Sequence, residues 1–167
     1  SAFGGGLWET DLPIGFPGSR PYTNAMVISS DVTWEQDFDA RVDIVVKPGA
    51  SLTIKNCEVR MPKDHRIVVE RGAVLWLDNA VITNYCDQWV GVEVWGNESK
   101  PHPTSASSIR AGTYPSATDD QGVVVMLNGS VISNAKIGIG TYRNNGGVLG
   151  PGYNGGIVIA EDGNFLN

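Results

Sequence analysis

The chain has 167 residues, of which 21 are glycine and 18% are charged, a length suited to one domain and a composition suited to turns and strands. A helical bundle would need a more charged surface, and a net charge of −6 lacks the basic face that a nucleic-acid backbone requires. No apolar run approaches the roughly 18 residues that cross a bilayer, and no basic segment followed by an apolar one opens the chain, so neither a membrane span nor a signal peptide is expected within it.

Residues 1–25 are rich in Gly and Pro and read as a lead or cap on a domain at 26–167. Met26-Val27-Ile28 and Val32-Thr33-Trp34 then look like a partial opening unit. From Ile44 the sequence repeats itself. Shifted by 23 residues, Gly49 falls on Gly72, Ala50 on Ala73, Leu52 on Leu75, Ile54 on Leu77 and Asn56 on Asn79. Each unit reads as three short strands, in the second copy Ile67 to Val69, Val74 to Leu77 and Ala80 to Thr83. Alternation at period two puts Leu75, Leu77 and Ile82 on one side and Trp76 on the other. Gly and Asn stand at the corners, where a left-handed backbone is tolerated. No sustained 3.6-residue apolar stripe occurs, so helices should be few.

The same grammar continues with interruptions. Val90 to Trp95 and Lys136 to Gly140 supply first strands, and Val123 to Asn128 with Ser130 to Asn134 supply a second and third. Leu127 to Asn134 lies fifty residues beyond Leu77 to Asn84. Gly156 to Ile159 and Asn164 to Asn167 form a further copy. Three strands every 23 residues or so describe one coil of an all-β, right-handed parallel β-helix, in which one coil cannot bury its apolar face without neighbours. The count is four and a half coils, a stub roughly 20 Å tall at the usual spacing between strands.

Two insertions, 97–121 and 143–154, both fall between the first and second strands of a coil, so they should stack along one edge, where binding is expected. The chain also stops at Asn167 without a polar cap, which reads as truncation in the middle of a coil. Cys57 and Cys86 cannot build a disulfide scaffold or a zinc site, and read either as one bridge or as a pair of buried thiols.

The run VDIVVKPGASLTIKNCEVRM, then HRIVVERGAVLWLDNAVITN, then QWVGVEVWGN, resembles large secreted β-helix proteins of bacteria that use the type IX secretion system. Trp89-Val90-Gly91-Val92-Glu93-Val94-Trp95-Gly96 is similar to their Trp-x-Gly-Ile-x-Val-x-Gly segment, and Gly155 to Asn167 is similar to the coil that follows it. The resemblance covers about residues 26 to 167. It implies a secreted or outer-surface location, adhesin-like proteins, and secretion machinery engaged through regions absent here. It carries no catalytic motif, cofactor or metal.

β-helices also include polygalacturonase-like enzymes, which resemble one another in an Asn-Thr-Asp segment, a paired aspartate, a Gly-His-Gly and an Arg-Ile-Lys. Here only the aspartate pair Asp119-Asp120 occurs, in an inserted loop, and adjacent loop carboxylates do not readily provide the separation of about 5 to 9.5 Å that glycoside hydrolysis uses. Glu93 faces outward opposite Val124, without the acidic neighbour a lyase-type calcium site needs. His65 in a turn and His102 between prolines are too isolated for a metal site or a triad. Asn97-Glu98-Ser99 and Asn128-Gly129-Ser130 match a glycosylation pattern that means little in a bacterial protein.

The aromatics are the better lead. Trp76 and Trp95 have outward parity, and an exposed indole stacks on the apolar face of a sugar; alternatively the loops fold back and bury both rings as a satellite core. The first insertion adds His102, Arg110, Tyr114, Asp119 and Asp120, and the second adds Arg143, Asn145 and Tyr153. The expected function is a non-catalytic, adhesin-like or structural β-helix segment that binds a glycan or a surface protein along this edge. The alternative is a carbohydrate-active β-helix enzyme whose catalytic residues lie outside this chain.

Overall fold

The 23-residue period becomes one turn of a solenoid because the inward apolar side chains of each coil meet their mates only on the coils above and below. The structure, a computed structural model, describes residues 6–11, 23–102, 107–112, 120–145, 148–149 and 152–167. The chain is a right-handed parallel β-helix of five coils, three strands to a coil, and its strands line up into three sheets. β1 (Gly6–Asp11) runs antiparallel along the first edge, against β2. The first coil is β2 (Thr23–Ile28), β3 (Val32–Trp34) and β4 (Phe38–Asp39). The second is β5 (Ile44–Val46), β6 (Ser51–Lys55) and β7 (Glu58–Met61), and the third β8 (Arg66–Val69), β9 (Val74–Asp78) and β10 (Val81–Asn84).

In the fourth coil, β11 (Trp89–Val94) is parted from β12 (Val123–Leu127) by the insertion that carries helix α1 (Ser107–Arg110), and β13 (Ser130–Ser133) completes the turn. In the fifth, β14 (Ala135–Gly140) is parted from β17 (Ile157–Ala160) by the ribbon β15 (Asn144–Asn145) and β16 (Val148–Leu149), and β18 (Gly163–Leu166) follows. The five coils lie within half a coil of the expected four and a half. Phe38–Asp39, too short to show a period, is the third strand of the opening coil, and β18 pairs in full with β13.

Inward side chains stack into ladders. Met26, Ile44, Ile67, Val92 and Ile139 follow one another in the first sheet. Val32, Leu52, Leu75, Val124 and Val158 do so in the second, and Phe38, Val59, Ile82, Ile132 and Phe165 in the third. From the second to the fourth coil these residues are at most 1% exposed. Each such buried aliphatic side chain contributes about 1.5–3 kcal/mol, which is why the period is so faithfully kept.

The corners carry left-handed residues. Asn56, Asn79 and Asn128 have φ of 53°, 50° and 53°, and Asn79 Nδ2 donates to Asn56 Oδ1 at 3.0 Å. The fifty-residue offset needs one correction. Val81 pairs with Val131 and Ile82 with Ile132 at that offset, but Leu77 pairs with Met126, one residue short. Gly129, at φ 73°, is the added corner residue, and Ser130 takes the inner place of Ala80, donating from Oγ to the Leu127 carbonyl at 2.7 Å.

The two ends differ. At the first coil, Trp34 and Phe38 pack edge to face at 5.1 Å. Asp31 accepts from the Ser51 amide at 2.9 Å and Asp37 from the Glu58 amide at 2.8 Å, so carboxylates stand in for strand carbonyls. At the fifth coil, the inward Phe165 is 51% exposed beside Ile139 and Val158.

Candidate functional site: the edge built from two insertions

Both insertions leave the corner between the first and second sheets, in successive coils, and so meet side by side. The neck of the first is closed by an amide that imitates a peptide. The fully buried Gln121 accepts from the Asn97 amide at 2.9 Å and donates to the Asn97 carbonyl at 2.7 Å. Gly122 N donates to the Trp95 carbonyl at 2.7 Å, continuing the sheet spacing through the neck. Beyond it, α1 lays Ile109 on the outward face of the second sheet, among Val74, Val123, Val125 and Ile157, with Trp76 packed against them. Arg110 pairs with Glu161 at 3.4 Å, fastening the helix to the fifth coil.

The second insertion returns over Trp95. Gly96 N donates to the Tyr153 carbonyl at 3.0 Å, and a Cβ on Gly96 would lie 2.1 Å from Gly155 C, so the two backbones touch where only glycine fits. Trp95 and Tyr153 meet edge to face at 5.4 Å. The Arg143 guanidinium stands 4.7 Å from the Trp95 ring and 4.9 Å from Tyr153, while Arg71 lies over the Tyr153 ring at 4.1 Å. Asp120 accepts from Asn97 Nδ2 at 3.0 Å and pairs with Arg71 at 3.5 Å.

The structure therefore brings Trp95, Arg143, Tyr153 and Asp120 into one cluster and holds Trp76 and Arg110 in a second, on the neighbouring face. His102 is exposed. Tyr114 and Asp119 lie outside the described residues, and of Asn145 only the backbone, in β15, is described. The indoles do not stand free in solvent. Trp95 is 8% exposed and Trp76 half-buried, because the insertions fold back and bury both rings as satellite cores.

Glu93 also departs from expectation. It sits in the first sheet beside Val68, not opposite Val124, and is 3% exposed. Arg66 Nη1 donates to it at 2.5 Å, and Arg66 Nε lies 3.5 Å from Asp43 Oδ2. Asp43 also binds His65 Nδ1 at 2.8 Å and the Arg66 amide at 3.1 Å. Sequence reasoning missed both this buried cluster and Arg71, although Asp43 and Arg66, like Lys47 and Glu70, are opposite charges one repeat apart. Among the described residues no three His, Cys, Asp or Glu side chains gather as a metal site.

Both cysteines are free. Cys57 is buried, its Sγ 3.4 Å from the Trp34 carbonyl, and burial raises its thiol pKa, whereas Cys86 is exposed, so only one of the two is a buried thiol. Asn97 Oδ1 accepts from Ser99 N at 3.1 Å and Asn128 Nδ2 donates to Asp78, so both residues of the glycosylation pattern serve turns. Comparison with protein-family models, with curated proteins and with solved structures found no match.

Proposed function

We propose that this chain is a non-catalytic segment of a secreted or cell-surface β-helix protein, adhesin-like or structural, that binds a glycan or protein along its insertion edge. One observation carries the reading: two insertions from successive coils are cemented side by side onto a rigid solenoid. A surface of that kind is suited to recognition, since loops vary while stacked strands hold them in place. The sequence resemblance to type IX secretion cargo supports the bacterial, extracellular setting. The Asp120 carboxylate is engaged by Arg71 and Asn97, which suits a structural role better than an acid–base one.

The test is binding of the purified chain to a glycan array and to whole bacterial and host cells. His102→Ala with Arg110→Ala, both exposed on the first insertion, should weaken that binding at least about tenfold, the effect of losing one good polar contact. Unchanged binding by this variant would remove the edge from consideration. Release of reducing ends or unsaturated products from a polysaccharide panel by the longest secreted form would favour a carbohydrate-active enzyme instead.

A further inference from the structure

We infer that Arg71 couples the two insertions where they join the solenoid, so that loosening one loosens the other. The inference goes beyond the binding reading and holds whether or not the edge has a ligand.

Arg71 lies at the corner between β8 and β9, in the coil beneath the first insertion. The corner itself does not ask for arginine. One repeat earlier Pro48 fills the same place before Gly49, and Gly49 and Gly72 share the same left-handed turn, with φ of 83° and 77°. What distinguishes Arg71 is the use of every part of its fork. Nε donates to the Gly96 carbonyl at 2.9 Å, at the start of the first insertion. Nη1 faces Asp120 at 3.5 Å, at its close. Nη2 donates to the Gly152 carbonyl, and the guanidinium plane lies on Tyr153 at 4.1 Å, both in the second insertion. Its side chain is 23% exposed, so these contacts are partly shielded from water.

A planar guanidinium can satisfy three directions and a ring face at once, which an ammonium cannot. One side chain thus donates to a backbone carbonyl at each insertion. Freeing either leaves part of the fork unmatched and weakens its hold on the other. Amide exchange reads this directly. Lys100 N, bonded to the Asn97 carbonyl, reports on the first insertion, and Gly155 N, bonded to Thr141, on the second. Val74 N and Val81 N, bonded across coils, report on the solenoid.

In Arg71→Met, exchange at Lys100 and Gly155 should speed up together by about tenfold or more, with Val74 and Val81 unchanged. Acceleration at only one insertion, or at neither, would overturn the inference. If the variant unfolds the coils as well, a double-mutant cycle in the intact chain decides. Asp120→Asn and Tyr153→Leu, one in each insertion, should be non-additive in Gly155 exchange, and additivity within error would refute the coupling.

Discussion

Replacing Arg66 with methionine keeps an apolar stem of similar length and removes a guanidinium that stands between two buried carboxylates. Arg66, Asp43 and Glu93 are 2%, 4% and 3% exposed. The guanidinium holds Glu93 at 2.5 Å and lies 3.5 Å from Asp43. Taking one partner from a buried ion pair costs about 3–5 kcal/mol, because the remaining charge stays desolvated. Glu93 loses its short ion pair while Asp43 keeps His65 and the Arg66 amide, which places the loss in the lower half of that range, about 3–4 kcal/mol. That is a large part of the stability of an ordinary domain. Converting Glu93 to glutamine in the same chain removes the charge that lost its cation, and should restore about 1–2 kcal/mol of the loss. Urea unfolding followed by circular dichroism measures both. A loss under about 1 kcal/mol for Arg66→Met, typical of a solvated pair, would show that this face of the first sheet is not dry. A double variant no more stable than the single one would show that the cost is packing rather than charge.

Ile82→Ala, inside the third sheet's ladder and fully buried, should cost about 2–5 kcal/mol, whereas Thr83→Ala, which loses its hydroxyl's bonds with Ser133, Asn134 and Asn84 on the part-exposed outward face, should cost only about 1–1.5 kcal/mol in the same melts. Equal losses would mean that the strand's facing is wrong. Gly156→Ala would place a Cβ 2.1 Å from the Val94 carbonyl oxygen and should cost about 3 kcal/mol or more, while Gly129→Ala meets open space and should cost only about 1 kcal/mol for its positive φ. Thermal unfolding separates the two. Cys86 should react with a maleimide at once and Cys57 only on unfolding. Burial raises the folded Cys57 thiol above its ordinary 9.0, so its contribution is complete below that pH and is lost as pH rises further, at no more than about 1.4 kcal/mol per pH unit. The parent should therefore lose stability above pH 9 more steeply than Cys57→Ala, and parallel slopes there would contradict this.

The repeat is legible because a ladder imposes the same demand at every coil: an apolar residue inward at each register position, and Gly or Asn at each corner. Gly49 over Gly72 and Leu52 over Leu75 therefore announce the β-helix and its sheets in the sequence itself. Where the demand weakens, legibility fails. Phe38–Asp39 is too short to alternate, and the Gly129 corner adds a residue without disturbing the strands on either side, so an offset of fifty holds only for the third sheet. The candidate edge was legible as a location, since both insertions interrupt the same step of a coil.

Its contents were decided by tertiary contacts alone. Outward parity says that Trp95 and Glu93 leave the solenoid interior, not what lies beyond, and both are buried all the same. Arg71, at a corner where any turn-forming residue would serve, gains its role only from the carbonyls of Gly96 and Gly152 arriving from two separate insertions. Period and parity are local properties repeated along the chain and can be read from it. The meeting of two loops depends on distances across coils, which no spacing in the sequence encodes.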